Sequence, residues 1–281
     1  MASSPIRAVQ LPSGEPVPVL GQGTWQMGES AVARDEELRT LQVGLDLGLT
    51  LIDTAEMYGD GGAEELVADA IEGRRDEVFL VSKVLPSNAS RHGTIEACER
   101  SLKRLRTEQI DLYLLHWRGR LELGPTIEAF AQLKADGKIR HWGVSNLDAF
   151  DMAEVVALGG DGVQTNQVLY NLVHREIEFE LVPWCLDRRI PIMAYSPIDR
   201  GRLVADDLVV ELAEKHGATA AEVALAWVLH NDNVFAVPKA SSPEHVRENA
   251  RALDIRLDAD DLKLLDDEFP PPHRPEPLPL Y

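Results

Sequence analysis

The feature that most restricts the fold of this chain is a step repeated eight times: a short apolar, β-branched run followed by an amphipathic segment. The series begins with VPVLGQGT at 17–24 and RDEELRTLQVGLDLG at 34–48. It continues with TLID and 62–73, VFLVSKV and 92–105, DLYLLHW and 125–136, and IRHWGVSN with a helix from 147. GVQTNQ with 175–188, IPIMAYSP with helical segments across 206–230, and VFAVPK with 243–252 complete it. Runs that are apolar at nearly every position need cover on both faces, which a parallel sheet sheathed in helices supplies. Eight such units in 281 residues point to an α/β protein with a closed (β/α)8 barrel, a doubly wound sheet being the competitor.

No linker or low-complexity tract interrupts the units, so a single domain over 1–281 is expected. The leading segment IRAVQLPSGEPVPVL carries a PSGEP turn between two short apolar runs, which suits a hairpin plugging the barrel bottom. The tail at 270–281, PPPHRPEPLPLY, favours extended polyproline conformations and is expected to fray rather than form an ordered flap.

Charge and composition narrow the partners. Lys and Arg number 28 against 47 Asp and Glu, a net charge of −19 that repels polyphosphates, so no nucleic-acid partner is expected. Neither a secretory leader nor an apolar stretch of about 18 residues is present, which predicts no membrane association and a cytoplasmic location. Only Cys98 and Cys185 occur, far apart and without a CxxC pair; they read as core thiols, and no metal ligand set is expected.

In a barrel the chemistry lies at the carboxyl ends of the strands, so the polar residues that end the apolar runs matter most. Asp53 ends the second run, Tyr58 stands five residues on in its loop, Lys83 ends the third and His116 the fourth. Each has a plain reading alone, as a cap, a loop anchor or a solvated strand end. Together they place ionisable groups on three adjacent strands at one rim.

A phenol beside a lysine is a tuned proton donor. At about 4 Å and an effective dielectric near 20, Lys83 favours the phenolate by roughly 4 kcal/mol, which draws the Tyr58 pKa from about 10 toward neutrality. Asp53 then keeps the ammonium charged, and His116 orients a substrate oxygen by hydrogen bonding. A carbonyl is the natural acceptor. Its reduction also needs a hydride source, yet GQGTWQMG lacks the third glycine of a GxGxxG fingerprint.

GQGTW, LIDTAEMYGDGGAEE, FLVSKV, DLYLLHW, WGVSN, TNQVLYN, AYSP and VPKASSPEHVREN, in this order and over nearly the whole chain, resemble the aldo-keto reductases. The pattern is closest to short bacterial members associated with methylglyoxal and other small aldehydes. The resemblance implies a barrel that binds NADPH, or NADH, in extended form without a Rossmann fold. It implies Tyr58 as general acid, Lys83 and Asp53 as its tuning pair, and His116 as the residue orienting a small carbonyl substrate.

By the same resemblance Gly23, Thr24, Trp25 and Asp53 border the cofactor. Ser145, Asn146 and Gln167 hold the nicotinamide carboxamide, and Tyr195 stacks on the ring. Ser196, Pro197 and Ile198 wrap the pyrophosphate, and Lys239, Ser241 and Asn249 take the adenosine end. The family's common arginine for a 2′-phosphate is His245 here, with Arg247 close by, so NADPH is preferred on the strength of Lys239 while NADH stays possible. Trp25, Met57 and Trp117, with Tyr58 and His116, wall an open, permissive substrate pocket. Trp142, Trp184 and Trp227 fall inside apolar patterns and read as core. A monomer or weak homo-oligomer is expected.

Two other functions remain: a redox-sensing accessory subunit of a channel, which some barrels of this family are, and a Schiff-base lyase using Lys83. The first lacks a basic extension or coiled coil for docking. The second needs a lysine of lowered pKa, whereas Asp53 raises it.

Overall fold

The computed structural model of the chain describes residues 6–280; the first five residues, and Tyr281 at the end of the proline-rich tail, lie outside it. Strands β1 (Ala8–Gln10) and β2 (Pro16–Pro18) pair antiparallel with Val9 opposite Val17, both buried. Gly14, at φ +84°, supplies the left-handed residue their turn requires. The hairpin lies across the amino-terminal ends of the barrel strands. The Ser13 amide donates to Gln164 Oε1 at 2.9 Å, and Glu15 pairs with Arg140 and His141.

Eight parallel strands follow: β3 (Gln22–Gly23), β4 (Leu51–Asp53), β5 (Phe79–Val84), β6 (Ile110–Leu115), β7 (Ile139–Ser145), β8 (Val163–Leu169), β9 (Ile192–Tyr195) and β10 (Val234–Ala236). They hydrogen-bond in chain order. The sheet closes where the Gly21 amide donates to Ala236 O and the Ala236 amide to Val19 O, each at 2.8 Å. Gly23 permits this closure, since a Cβ there would lie 2.5 Å from Val237 O. The barrel expected from the eightfold repeat is therefore present, and a doubly wound sheet is not.

Helices α1 (Arg34–Asp46), α2 (Gly62–Ala70), α3 (Arg91–Leu105), α4 (Leu123–Ala135), α5 (Ala149–Ala157), α6 (Leu181–Asp187), α7 (Asp207–His216), α8 (Ala220–His230), α9 (Pro243–Arg251) and α10 (Ala259–Glu268) surround it. Their ends follow local chemistry. Ser90 caps α3, and Asp206 caps α7, which stops at Gly217 in left-handed geometry. Thr219 and Glu222 form a capping box on α8.

Two differences from the repeat stand out. The segment 175–180 makes only a single turn at Glu176–Glu178, and α6 begins at Leu181. Pro183 is tolerated only in the first turn of a helix, which fixes that start. Arg175 is meanwhile drawn away to Glu178 and Asp266, at 2.9 and 2.7 Å. Helix α10 lies outside the repeat altogether and docks through Asp261, which accepts from Lys215 Nζ at 2.5 Å and lies 2.8 Å from His216 Nε2.

Trp142 and Trp227 are buried, while Trp184 is half-buried beneath the Arg188 guanidinium, 4.2 Å from its ring. Cys98 and Cys185 are buried, and burial pushes both thiols up to about 12, so neither offers a thiolate at neutral pH. Among the described residues no helix is long and apolar enough to cross a membrane.

Candidate active site

At the carboxyl-terminal rim of the barrel a cavity of about 670 Å³ runs from His116 and Tyr58 to Lys239 and His245. Asp53 reaches it as the last residue of β4. The chain then bends through Gly59, Asp60 and Gly61, with φ of +56°, +52° and +94°. Two glycines make these three consecutive left-handed residues affordable. The turn is wedged against the loop that follows β3, because a Cβ on Gly62, where α2 begins, would sit 2.4 Å from Gly28 O. Tyr58 is thus carried on a tightly confined turn.

Lys83, in β5, is 0% exposed. Its Nζ donates to Asp53 Oδ2 at 2.8 Å, to Thr54 O at 2.9 Å and to Tyr58 Oη at 3.3 Å, which uses all three ammonium protons. Burial disfavours the charge on this lysine, but Asp53 and Tyr58 outweigh burial and hold its pKa above the ordinary value.

The phenol behaves differently from the sequence expectation. Burial is the largest influence on Tyr58 and raises its pKa; the Asp53 carboxylate raises it further, and Lys83 only partly opposes them. The net direction is upward, not toward neutrality. The attraction of the lysine is outweighed by the loss of water around the phenol and by the carboxylate behind it. Tyr58 consequently keeps its proton at neutral pH.

His116 follows β6 and is 8% exposed. Burial, with the Lys83 charge adding to it, lowers its pKa well below the usual value, so the imidazole is neutral. Its ring meets Tyr58 edge-on at 5.7 Å and tilts against Trp117 at 4.8 Å. Within the described residues its buried Nδ1 has no hydrogen-bond partner.

The ends of β7, β8 and β9 form a polar floor. Ser145 Oγ donates to Gln167 O at 2.8 Å, and Gln167 Nε2 to Asp53 Oδ1 at 2.8 Å. Asn146, at φ +58°, donates from Nδ2 to His116 O at 3.1 Å and accepts from Tyr195 Oη at 3.0 Å. Ser196, Pro197 and Ile198 continue the lining, and the Arg200 guanidinium lies 4.6 Å over the Trp25 ring. Amide and hydroxyl groups at one end, an aromatic beside them and a lysine at the far end make a donor set suited to an extended nicotinamide dinucleotide.

Most residues singled out in the sequence meet in this cavity: Gly23, Trp25, Asp53, Met57, Tyr58, His116, Trp117, Ser145, Asn146, Gln167, Tyr195, Lys239, Ser241 and Asn249. Lys83 stands behind Asp53 and Tyr58 rather than on the wall. Thr24 is fully buried, its hydroxyl donating to Asp53 O at 3.0 Å, so it supports the acid instead of lining the cavity.

Arg247 does not line the cavity; its Nη1 donates to Pro243 O at 3.1 Å. Two residues along a helix turn through about 200°, so His245 and Arg247 lie on opposite faces of α9. Glu248 shares the cavity face with His245 and Asn249. The same helical spacing would have revealed it in the sequence.

Leu278 packs on the apolar core and Leu280, though 60% exposed, lines the cavity, so the described part of the tail borders the site. No sequence signal identified this contact. At the opposite end of the barrel a second hollow of about 580 Å³ is bordered by Glu15, Arg75, Asp111 and Arg140. These charges pair with one another, and no reactive arrangement results.

Residues 19–268 match the sequence profile of the Aldo/keto reductase family. Over 272 residues the chain is 49% identical to methylglyoxal reductase YeaE of Escherichia coli (strain K12), covering 95% of this chain and 96% of that protein. It is 31% identical to the glyoxal reductase of Bacillus subtilis (strain 168) over 264 residues, covering 92% and 91%. The crystal structure of an aldo/keto reductase from Klebsiella pneumoniae in complex with NADP and acetate superposes with a TM-score of 0.96 at 48% identity, covering 98% of this chain and all of that one.

Proposed function

The chain belongs to the aldo/keto reductase family, and from that premise we propose how its own residues carry out the reaction. Its activity is the NADPH-dependent reduction of carbonyl compounds to alcohols. When bound, the reduced nicotinamide supplies the hydride that the carbonyl carbon receives. Tyr58 gives its proton to the carbonyl oxygen, and Lys83, kept charged by Asp53, stabilises the phenolate left behind. Neutral His116 donates a hydrogen bond to the same oxygen and fixes its orientation.

Ser145, Asn146 and Gln167 hold the carboxamide, Tyr195 faces the ring, and the backbone of Ser196, Pro197 and Ile198 borders the pyrophosphate. Lys239, Ser241 and Asn249 receive the adenosine end, with His245 and Glu248 beside them. The substrate class we propose is small aldehydes, 2-oxoaldehydes of the methylglyoxal type among them, between Trp25, Met57 and Trp117. The similarity to a methylglyoxal reductase supports this choice. The whole chain serves as one barrel domain, acting in the cytoplasm as a monomer or weak homo-oligomer.

The observation that carries the mechanism is the buried ammonium 2.8 Å from a carboxylate and 3.3 Å from a phenol at the cavity wall. A lyase reading loses ground on the same observation, since a lysine held charged is not a nucleophile. The test is NADPH oxidation, followed by absorbance, across a panel of aldehydes and ketones, with borohydride trapping alongside. Methylglyoxal and related aldehydes should be reduced with no substrate captured on Lys83. Absence of turnover with every 2-oxoaldehyde would reject the substrate class, and capture on Lys83 would reject the mechanism.

A further inference from the structure

Tyr58 and Lys83 are joined by only one direct hydrogen bond, and at 3.3 Å it lies beyond the usual range. A contact that long does not fix a loop by itself. Something else sets the position of the phenol over the ammonium, and the loop that carries Tyr58 contains one more buried charge, Glu56, whose side chain is 6% exposed.

The Glu56 carboxylate faces away from the reacting groups. Its Oε1 accepts from the Leu85 amide at 2.8 Å and from Asn88 Nδ2 at 2.9 Å, while Oε2 lies 3.5 Å from Arg100 Nη2. The arrangement is symmetrical about the catalytic pair, because Glu56 precedes Tyr58 by two residues and Leu85 follows Lys83 by two. A tight turn, closed by the Tyr58 amide donating to Ala55 O at 3.1 Å, carries any displacement of Glu56 to the phenol. The Leu85 amide, just past β5, is one of the points where the third strand end is open to a side chain of the second loop.

We propose that Glu56 is a positioning residue for the reaction: its carboxylate staples the loop of Tyr58 to the strand end of Lys83 and sets the separation of phenol and ammonium. The inference rests on the proposed role of Tyr58 as proton donor. The element that acts is the hydrogen-bond acceptor Oε1, and the negative charge is secondary. Glutamine preserves that acceptor with the same reach; alanine removes it and leaves the Leu85 amide without this partner.

The experiment uses the full chain and four variants: Glu56→Ala, Glu56→Gln, Asn88→Ala and Tyr58→Phe. Steady-state kinetics with methylglyoxal, NADPH binding by quenching of tryptophan fluorescence, the pH profile of kcat and thermal unfolding are read for each. Displacing a catalytic group by 1 Å costs up to about 100-fold, so Glu56→Ala should lose at least about tenfold in kcat. Its NADPH Kd and its KM should stay near wild type, and the alkaline limb of its pH profile should move because the Lys83 charge acts on the phenol from a new distance. Glu56→Gln should restore kcat and the profile, and Asn88→Ala should show a smaller loss in the same direction.

An alanine variant with a lowered Tm but unchanged kcat and pH profile would make Glu56 merely structural and overturn the proposal. So would a glutamine variant as impaired as alanine. If Glu56→Ala does not fold, unchanged kcat in Asn88→Ala overturns it instead. Tyr58→Phe separates the two levels: full activity there removes the proton-donor reading, whereas its inactivity beside an active Glu56→Ala removes the staple alone.

Discussion

Gln167 Nε2 donates to Asp53 Oδ1 at 2.8 Å, across 114 positions of sequence. The residue proposed to hold the nicotinamide carboxamide is therefore also bonded to the carboxylate that keeps Lys83 charged. Cofactor side and proton side share one hydrogen-bonded chain, from Ser145 through the Gln167 backbone and side chain to Asp53, Lys83 and Tyr58. The two halves of the proposed reaction are thereby in direct contact before any ligand is considered.

Gln167→Leu should weaken both halves. It takes the donor from Oδ1 of a buried carboxylate, and such a loss costs about 1–3 kcal/mol. Urea unfolding should report a destabilisation of that size, and kcat and NADPH affinity should fall together. Unchanged urea midpoints would show that the Gln167 bond to Asp53 carries no stability.

Tyr58→Phe should reduce kcat for carbonyl reduction by about 100-fold or more, the usual share of a general acid. NADPH binding should stay nearly intact. In the wild-type protein the raised phenol pKa means the acid form persists through neutral pH, so kcat should be flat there and decline only in alkaline solution. A decline centred near neutrality would contradict that upward direction.

His116 gives a stability test. In the unfolded chain it takes up a proton below about 6.5, while the folded imidazole, whose pKa is lowered by burial and by Lys83, stays neutral. The unfolded state then binds more protons, so stability falls as the pH drops through that value, by up to about 1.4 kcal/mol per pH unit for this residue. Unfolding free energies from urea titrations at pH 7 and pH 5.5 should differ by roughly 1 kcal/mol more in wild type than in His116→Gln. Equal pH dependence in the two proteins would refute it.

Lys239 and Arg247 should part company in cofactor binding. Lys239→Ala removes the cation at the adenosine end of the cavity and should raise the NADPH Kd by about tenfold, the worth of one charge-assisted hydrogen bond, with little change for NADH. Arg247→Ala should leave both affinities near wild type, because its guanidinium bonds Pro243 O on the far face of α9. Fluorescence titration with both cofactors measures this, and a large effect of Arg247→Ala would mean the side chain swings into the cavity.

Much of the site was legible because barrel strands carry their chemistry at one end. Asp53 and His116 each close an apolar run, and that position placed them on one rim; Lys83, expected to end the third run, lies one residue inside β5, before Val84, which is why it stands behind the cavity wall. Glu56 was missed for the opposite reason. It lies inside a loop with no periodicity, and only the arrival of the Leu85 amide and Asn88 from the next strand makes it notable. Helix α10 was missed because no strand precedes it to complete a unit.

What the sequence determined by itself is the eightfold alternation, and with it the barrel, its end-loaded chemistry and the identity of the residues at each strand end. These are local properties: periodicity, turn residues and the last polar side chain before a loop. The tertiary structure alone decided that Tyr58 holds its proton more tightly rather than less, that Arg247 points away while Glu248 points in, and that Leu280 borders the cavity. Each of those depends on how much water is excluded and on which distant groups arrive at a given point, quantities summed over the packed molecule.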